Sequence, residues 1–226
     1  MTAKDQARSR IAAAADQLIE LSHRIHAHPE TAWAEHRAAG WLTDALDRLG
    51  YAVTRDACQL PTAFTASIGT GELHIGICAE YDALPGLGHA CGHNIIAAAA
   101  LGAATGLAGL ADQLGLTVTV LGTPAGLANA RDRGRPFTGP GAGARMNRAS
   151  TDMGNISLRL PAIHPYLGID SLPAVNHQPE FAAHCAGPAA DRAVLDGAAL
   201  LAATVIDAAT RDNVRDRLLH SLLTAR

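Results

Sequence analysis

Aromatic side chains are scarce in this sequence, with 3 Phe, 3 Tyr and 2 Trp among 226 residues. Alanine and glycine are abundant instead, a balance that suits Ala-rich helices packed closely on a sheet. Charge of either sign is also in short supply. A formal net charge of −3 is too mild to imply a nucleic-acid or acidic-surface partner. No apolar run reads as long enough to span a membrane. The longest weakly polar passage, residues 95–110, is Ala/Gly-rich and reads as a buried helix. The opening MTAKDQARSR lacks the apolar core of a secretory signal, so a cytoplasmic location is expected. The 4 cysteines, Cys58, Cys78, Cys91 and Cys185, are irregularly spaced and do not make a disulfide framework. Cys78 lies in an apolar strand pattern and reads as core, whereas Cys91 sits between two histidines. No internal repeat is visible, and the length suits one domain with a sizeable core or two small ones.

Periodicity supplies a coarse order of elements. Ile11, Leu18, Leu21 and Ile25 recur at helical spacing over residues 5–27, and Pro29 closes that helix. A second helix is expected over 32–49, stopped by Gly50. YAVTR and AFTASIG alternate as strands, and LHIGICAEY returns as a more buried strand after a GTGE turn. An Ala/Gly-rich helix follows over 91–114, then LTVTVLG, a β-branched central strand. Strand, helix and strand in that order imply a βαβ unit and a largely parallel sheet. Residues 126–150, rich in Gly, Pro and Arg, carry no sustained apolar period and read as a loop or linker. NISLRLPAIHPYLGI suggests two short strands, and two helices over 189–209 and 213–223 close the chain.

Chemistry is concentrated in EYDALPGLGHACGHN, residues 80–94. Glu80 and Asp82 end an apolar strand, where sites form in open α/β sheets. Cys91 and His93 fall at the start of the next helix, where the N-terminal dipole favours a thiolate. Two residues apart in a turn, a thiol and an imidazole can converge on one divalent ion, zinc or a relative of it. Asp82 is placed to orient a ligating histidine. A lone His or Cys is more often structural than ligating; the grouping of His89, Cys91 and His93 behind a carboxylate-bearing strand end is what argues otherwise. His23, His26, His28 and His36 read as solvated or capping, His74 as a strand residue and His220 as a surface one. His164 and His177 lie in late loops from which a remote ligand could return.

These motifs, with LSHRIHAHPETAWAEHRAA before them and LGTPA, STDMGN, IHPYLGI and NHQPEF after them, resemble the M20 metallopeptidase family. The similarity is to its amidohydrolase branch, which includes Xaa-Arg dipeptidases and aminobenzoyl-glutamate hydrolases, and it covers most of residues 10–125 and 150–210. The resemblance implies a single three-layer α/β domain of the phosphorylase/hydrolase-like type, with a mixed sheet between helices. It also implies cleavage of an amide in a dipeptide or N-acyl amino acid at a two-metal site, most simply with Zn, although Mn or Co would serve. Carried over by position, Cys91, His93 and His177 match metal ligands. Asp82 matches the aspartate that supports the site, and Glu80 takes the place of that motif's histidine. Asp152, Asn155 and His164 match late active-site loop elements and are the expected substrate contacts.

The resemblance breaks after LGTPA. The family continues there with two adjacent glutamates, a general base that activates water and a metal ligand; here Ala125 is followed by Gly126 and Leu127. The family then carries a dimerising lid on the order of a hundred residues, the size of a small domain. In this chain 126–150 stands in that place, so a monomer or weak dimer is expected. Cys91, His93 and His177 reach the usual ligand number for one zinc but not for a bridged pair. Two function classes follow: an impaired M20-type amidohydrolase or dipeptidase, with Glu80 as a substitute base, or a non-catalytic metal-binding or interaction domain.

Overall fold

The structure is a computed structural model, and it describes residues 1–123 and 160–224. Helices α1 (Ala3–Ala13) and α2 (Ala15–Ala27) open the chain, followed by α3 (His36–Arg48). Strands β1 (Ala52–Arg55), β2 (Phe64–Ile68) and β3 (Leu73–Glu80) lead into α4 (His93–Leu107) and β4 (Leu116–Thr123). After the undescribed residues come α5 (Pro179–His184), α6 (Pro188–Thr210) and α7 (Asp212–Thr224).

The single helix expected over 5–27 is two, joined at Ala14, whose backbone (φ −98°, ψ 4°) departs from helical geometry. Thr2 and Asp5 cap the first with a reciprocal side-chain pair. The helix expected from residue 32 begins at His36, because Thr31 instead forms a bridge with Ala83 and Trp33 takes a positive φ of 71°. Gly50, at φ 85°, ends it as expected. Residues 160–169 form no strand, which corrects that part of the expectation for NISLRLPAIHPYLGI. The linker 126–150, Asp152, Asn155 and the rest of that passage lie outside the described residues.

The four strands form a mixed sheet in the order β1-β2-β4-β3. β4 runs parallel to β3 across the α4 crossover and antiparallel to β2, so the βαβ unit and the interior position of β4 are both as read. One sheet face is apolar and buried: Ala66, Leu73, Ile77, Ala79, Leu116, Val118 and Val120 join one core with α4. The other face carries half-buried Thr117, Thr119 and Leu121.

Small residues let α4 sit in the middle of this core. A side chain at Gly102 would meet the Ala198 methyl of α6 at 2.6 Å and Leu18 of α2 at 3.0 Å. One at Gly106 would meet Ile11 and Ala7 of α1 at 3.0 and 3.4 Å. Gly102→Val should therefore force the helices apart and cost at least about 2 kcal/mol, at the usual worth of overpacking. Gly40, in α3, has nothing within 4 Å of where a Cβ would stand. Gly40→Ala should stabilise by about 0.5–1 kcal/mol through helix propensity alone. Thermal unfolding of the two variants should move in opposite directions.

α6 is long and apolar enough, by length and composition, to cross a membrane, which corrects the expectation that no run is. In this structure it is a core helix, with Val194, Ala198, Ala202, Val205 and Ile206 buried. Its far end is tied to the chain start by Lys4 and Asp207, 2.6 Å apart. The Lys4 hydrogen bond holds the Asp207 carboxyl below its ordinary pKa of 3.8. A lowered carboxyl pKa stabilises the fold above the unfolded value and loses that contribution as pH falls through the folded one. Asp207→Asn should thus cost less than about 1 kcal/mol at neutral pH, as exposed pairs do. The deficit should vanish in urea titrations run at strongly acidic pH.

Candidate metal centre

Strand periodicity sets up the site. Side chains alternate along the end of β3, so Glu80 and Asp82 share one side while Tyr81 between them points into the core, fully buried. Glu80 is the register partner of Thr123, so the carboxyl ends of β3 and β4 lie side by side. The chain then folds back through a turn in which the Leu84 amide donates to the Gly88 carbonyl at 2.9 Å. Gly92 caps α4 with φ 75°, a conformation that a side chain would strain. Cys91 is thereby the last residue before the cap and His93 the first of the helix.

His93 is held between two carboxylates. Its Nδ1 lies 2.7 Å from Asp82 Oδ1 and 3.1 Å from the Asp82 carbonyl, and its Nε2 lies 3.2 Å from Glu80 Oε2. With Nδ1–H donating to Asp82, Nε2 faces the Glu80 carboxylate, a contact that either a second ring proton or a cation satisfies. Burial lowers the basicity of His93, but the Asp82 hydrogen bond and the charges of Asp82 and Glu80 outweigh it and raise its pKa overall. Cys91 departs from expectation. Burial, followed by the Asp82 and Glu80 charges, pushes its thiol up to about 11, so the helix dipole does not make it a thiolate in the metal-free protein.

His177 does return to this loop. Its amide donates to the carbonyl of Ala90 at 2.9 Å, which places its backbone beside Cys91; it is exposed and has φ 69°. Even so, among the described residues no group of three or more His, Cys, Asp or Glu side chains converges as an ion site. The donors present fit a borderline-soft divalent ion in type, since a thiol and an imidazole are offered and a carboxylate fixes the imidazole tautomer. His164 is exposed and stacks on Tyr166, ring centroids 5.0 Å apart.

Several residues shape the site in ways the sequence did not show. His89, grouped there with Cys91 and His93, is buried and pushed down to about 4, by burial first and then by His26 and His93. It is therefore neutral at ordinary pH, and its Nε2–H donates to the Ile25 carbonyl at 3.1 Å. Asn94 donates from Nδ2 to Ser22 Oγ and to the Cys185 carbonyl, at 2.9 and 2.8 Å, tying α4 to α2 and to the end of α5. A lone amide inside an apolar helix was the available signal. His23 and His26, read as solvated or capping, instead join elements. His23 meets Asp191 at 2.6 Å, and His26 Nε2–H donates to the Ala182 carbonyl at 2.8 Å. His28 does cap, its Nδ1 lying 2.9 Å from the Arg24 carbonyl.

No protein-family model matches the chain. It is 42% identical over 130 residues to the Xaa-Arg dipeptidase of Homo sapiens, covering 50% of this chain and 30% of that protein. It is 36% identical over 118 residues to a p-aminobenzoyl-glutamate hydrolase polypeptide of Escherichia coli (strain K12), covering 45% and 24%. Among solved structures, a Bacillus subtilis dinuclear metal-binding peptidase of the M20 family is 29% identical, with a TM-score of 0.47 over 50% of this chain and 36% of that one. The chain thus spans a third or less of the length of these curated relatives. The resemblance to the amidohydrolase branch of the M20 metallopeptidases is borne out by the curated sequences, which are those of a dipeptidase and a hydrolase.

Proposed function

We propose that this chain is a divalent-metal-dependent amidohydrolase or dipeptidase-type hydrolase of M20 kind, acting on a small dipeptide or N-acyl amino acid with impaired turnover. The observation that carries this reading is the grip of Asp82 and Glu80 on the two ring nitrogens of His93. Cys91, His93 and His177 would hold the ion, zinc first and manganese or cobalt as alternatives. Asp82 fixes the His93 tautomer, and Glu80 faces the reaction side as the available base. A bound divalent ion supplies Lewis acidity at the scissile carbonyl. Asp152, Asn155 and His164 are the proposed substrate contacts. The names of the relatives, one an Xaa-Arg dipeptidase and one a p-aminobenzoyl-glutamate hydrolase, support a small amide substrate.

The same proposal makes residues 1–226 one catalytic-type domain, with 126–150 in the position of a lid. It also makes the protein a cytoplasmic monomer or weak dimer with no nucleic-acid or membrane partner. The second reading, a metal-binding domain without catalysis, is favoured by one feature, the Gly126–Leu127 pair where a base and a ligand stand in the family. Metal content per chain, measured beside hydrolysis of a panel of dipeptides and N-acyl amino acids, separates the two. Metal without turnover selects the second, and neither metal nor turnover overturns both.

A further inference from the structure

Behind the site lies a buried polar chain that the proposed chemistry does not use. Glu35, at the threshold of α3, is 0% exposed, and its Oε2 accepts the Thr62 hydroxyl at 2.7 Å. The Thr62 carbonyl in turn accepts the Tyr81 hydroxyl. Tyr81 is the residue between Glu80 and Asp82, and its ring stacks on Phe64 with centroids 5.9 Å apart. Helix capping does not explain why Glu35 is buried, because the free amides of Arg37 and Ala38 are capped by the Glu30 side chain at 2.9–3.0 Å. The same connection also holds the far side of the strand end: the Glu30 carbonyl accepts the Ala83 amide at 2.7 Å, and Thr31 bridges Ala83. A buried carboxyl group with one oxygen, Oε1, left without a partner among the described residues is a costly thing to keep for packing alone.

We propose that Glu35 is a positioning residue: acting through Thr62 and Tyr81, it fixes the strand end from which Asp82 and Glu80 clasp His93. The geometry gives such a fixture a place to act. Among the described residues β3 pairs with β4 alone and that ladder ends at Glu80, while the next backbone tie is at Ala83, through Glu30 and Thr31, so Tyr81 and Asp82 lie between two anchor points. Between those anchors the Tyr81 side chain adds a further hold on the direction of residues 81 and 82. The Tyr81 ring is the lever, since turning it would swing both flanking carboxylates off the imidazole. The significance of this brace rests on the reading of His93 as the centre of the site. Its existence can be tested in the metal-free chain, and so apart from that reading.

The probe is the His93 Nδ1–H proton, observed by nuclear magnetic resonance in the full-length, metal-free, ¹⁵N-labelled protein and assigned by its loss in His93→Gln. Held by Asp82, it should give a slowly exchanging signal. In Glu35→Ala and Tyr81→Phe its exchange with water should quicken by about tenfold or the signal should broaden away, whereas Glu35→Gln, which can still accept from Thr62, should keep it. Should Glu35→Ala not fold, Tyr81→Phe decides, because it removes only the hydroxyl. Variants that melt lower yet keep the His93 signal unchanged would show a purely structural role and overturn the proposal, as would Glu35→Gln losing the signal. Failure of the functional reading is seen separately, as an unmodified chain that retains the signal but binds neither zinc nor cobalt.

Discussion

Asp82→Asn should weaken divalent-ion binding by about 10–100-fold, the range that outer partners of ligating histidines usually command. The variant keeps the shape of the side chain, which is only 5% exposed, and keeps one oxygen able to accept from His93 Nδ1–H. What it loses is the charge that raises the basicity of His93 and the certainty that an oxygen, not an amide nitrogen, faces the ring. His93→Ala should abolish specific binding, because it removes the imidazole that both carboxylates address. His164→Ala is the control: the exposed ring stacks on Tyr166 and should leave affinity unchanged. Competition titrations with cobalt, read by absorption, compare all three against the unmodified chain. An Asp82→Asn protein that binds within twofold of wild type would remove Asp82 from the site.

How much of this could be read from the sequence depended on separation along the chain. The β3–α4–β4 unit was legible because each part declares itself locally: a buried strand run, an Ala/Gly helix, then β-branched alternation. Glu80, Asp82 and His93 were legible as a group for the same reason, since 14 positions hold the whole arrangement. Contacts between distant segments were not legible. Glu35 reaches Thr62 across 27 positions and Tyr81 reaches Thr62 across 19, and no local pattern marks either. His23 meets Asp191 across 168 positions, so its reading as a solvated helix residue had nothing to contradict it. His177 stood out in the sequence only as a late-loop histidine, and resemblance to a family made it a ligand; the structure shows its backbone beside Ala90 without gathering a third side-chain donor among the described residues. The raised Cys91 pKa was missed because the helix dipole was considered without the two carboxylates and the burial that oppose it.

Turnover by the unmodified chain should be at least about a hundredfold below that of a relative carrying the two adjacent glutamates, given the usual worth of a positioned general base. The register that pairs Glu80 with Thr123 puts the carboxyl end of β4 beside the clasp on His93. Three and four positions further on stand Gly126 and Leu127, whose side chains can neither accept a proton nor ligate an ion. Among the described residues at the site, Asp82 is engaged by His93 Nδ1, which leaves Glu80 to take a proton from attacking water, but it already faces His93 Nε2 at 3.2 Å. One group cannot fully serve both tasks. Replacing Gly126 and Leu127 together by glutamate should raise metal occupancy first and rate second, because a ligand completes the site before a base can use it. Glu80→Gln should reduce whatever residual rate the unmodified chain has, and should matter less once the double replacement supplies another base. Steady-state hydrolysis of a dipeptide and an N-acyl amino acid by the four proteins, with metal content measured on each, checks the order of these effects. Robust hydrolysis by the unmodified chain, insensitive to Glu80→Gln, would show that the proton is carried by a group outside this strand end.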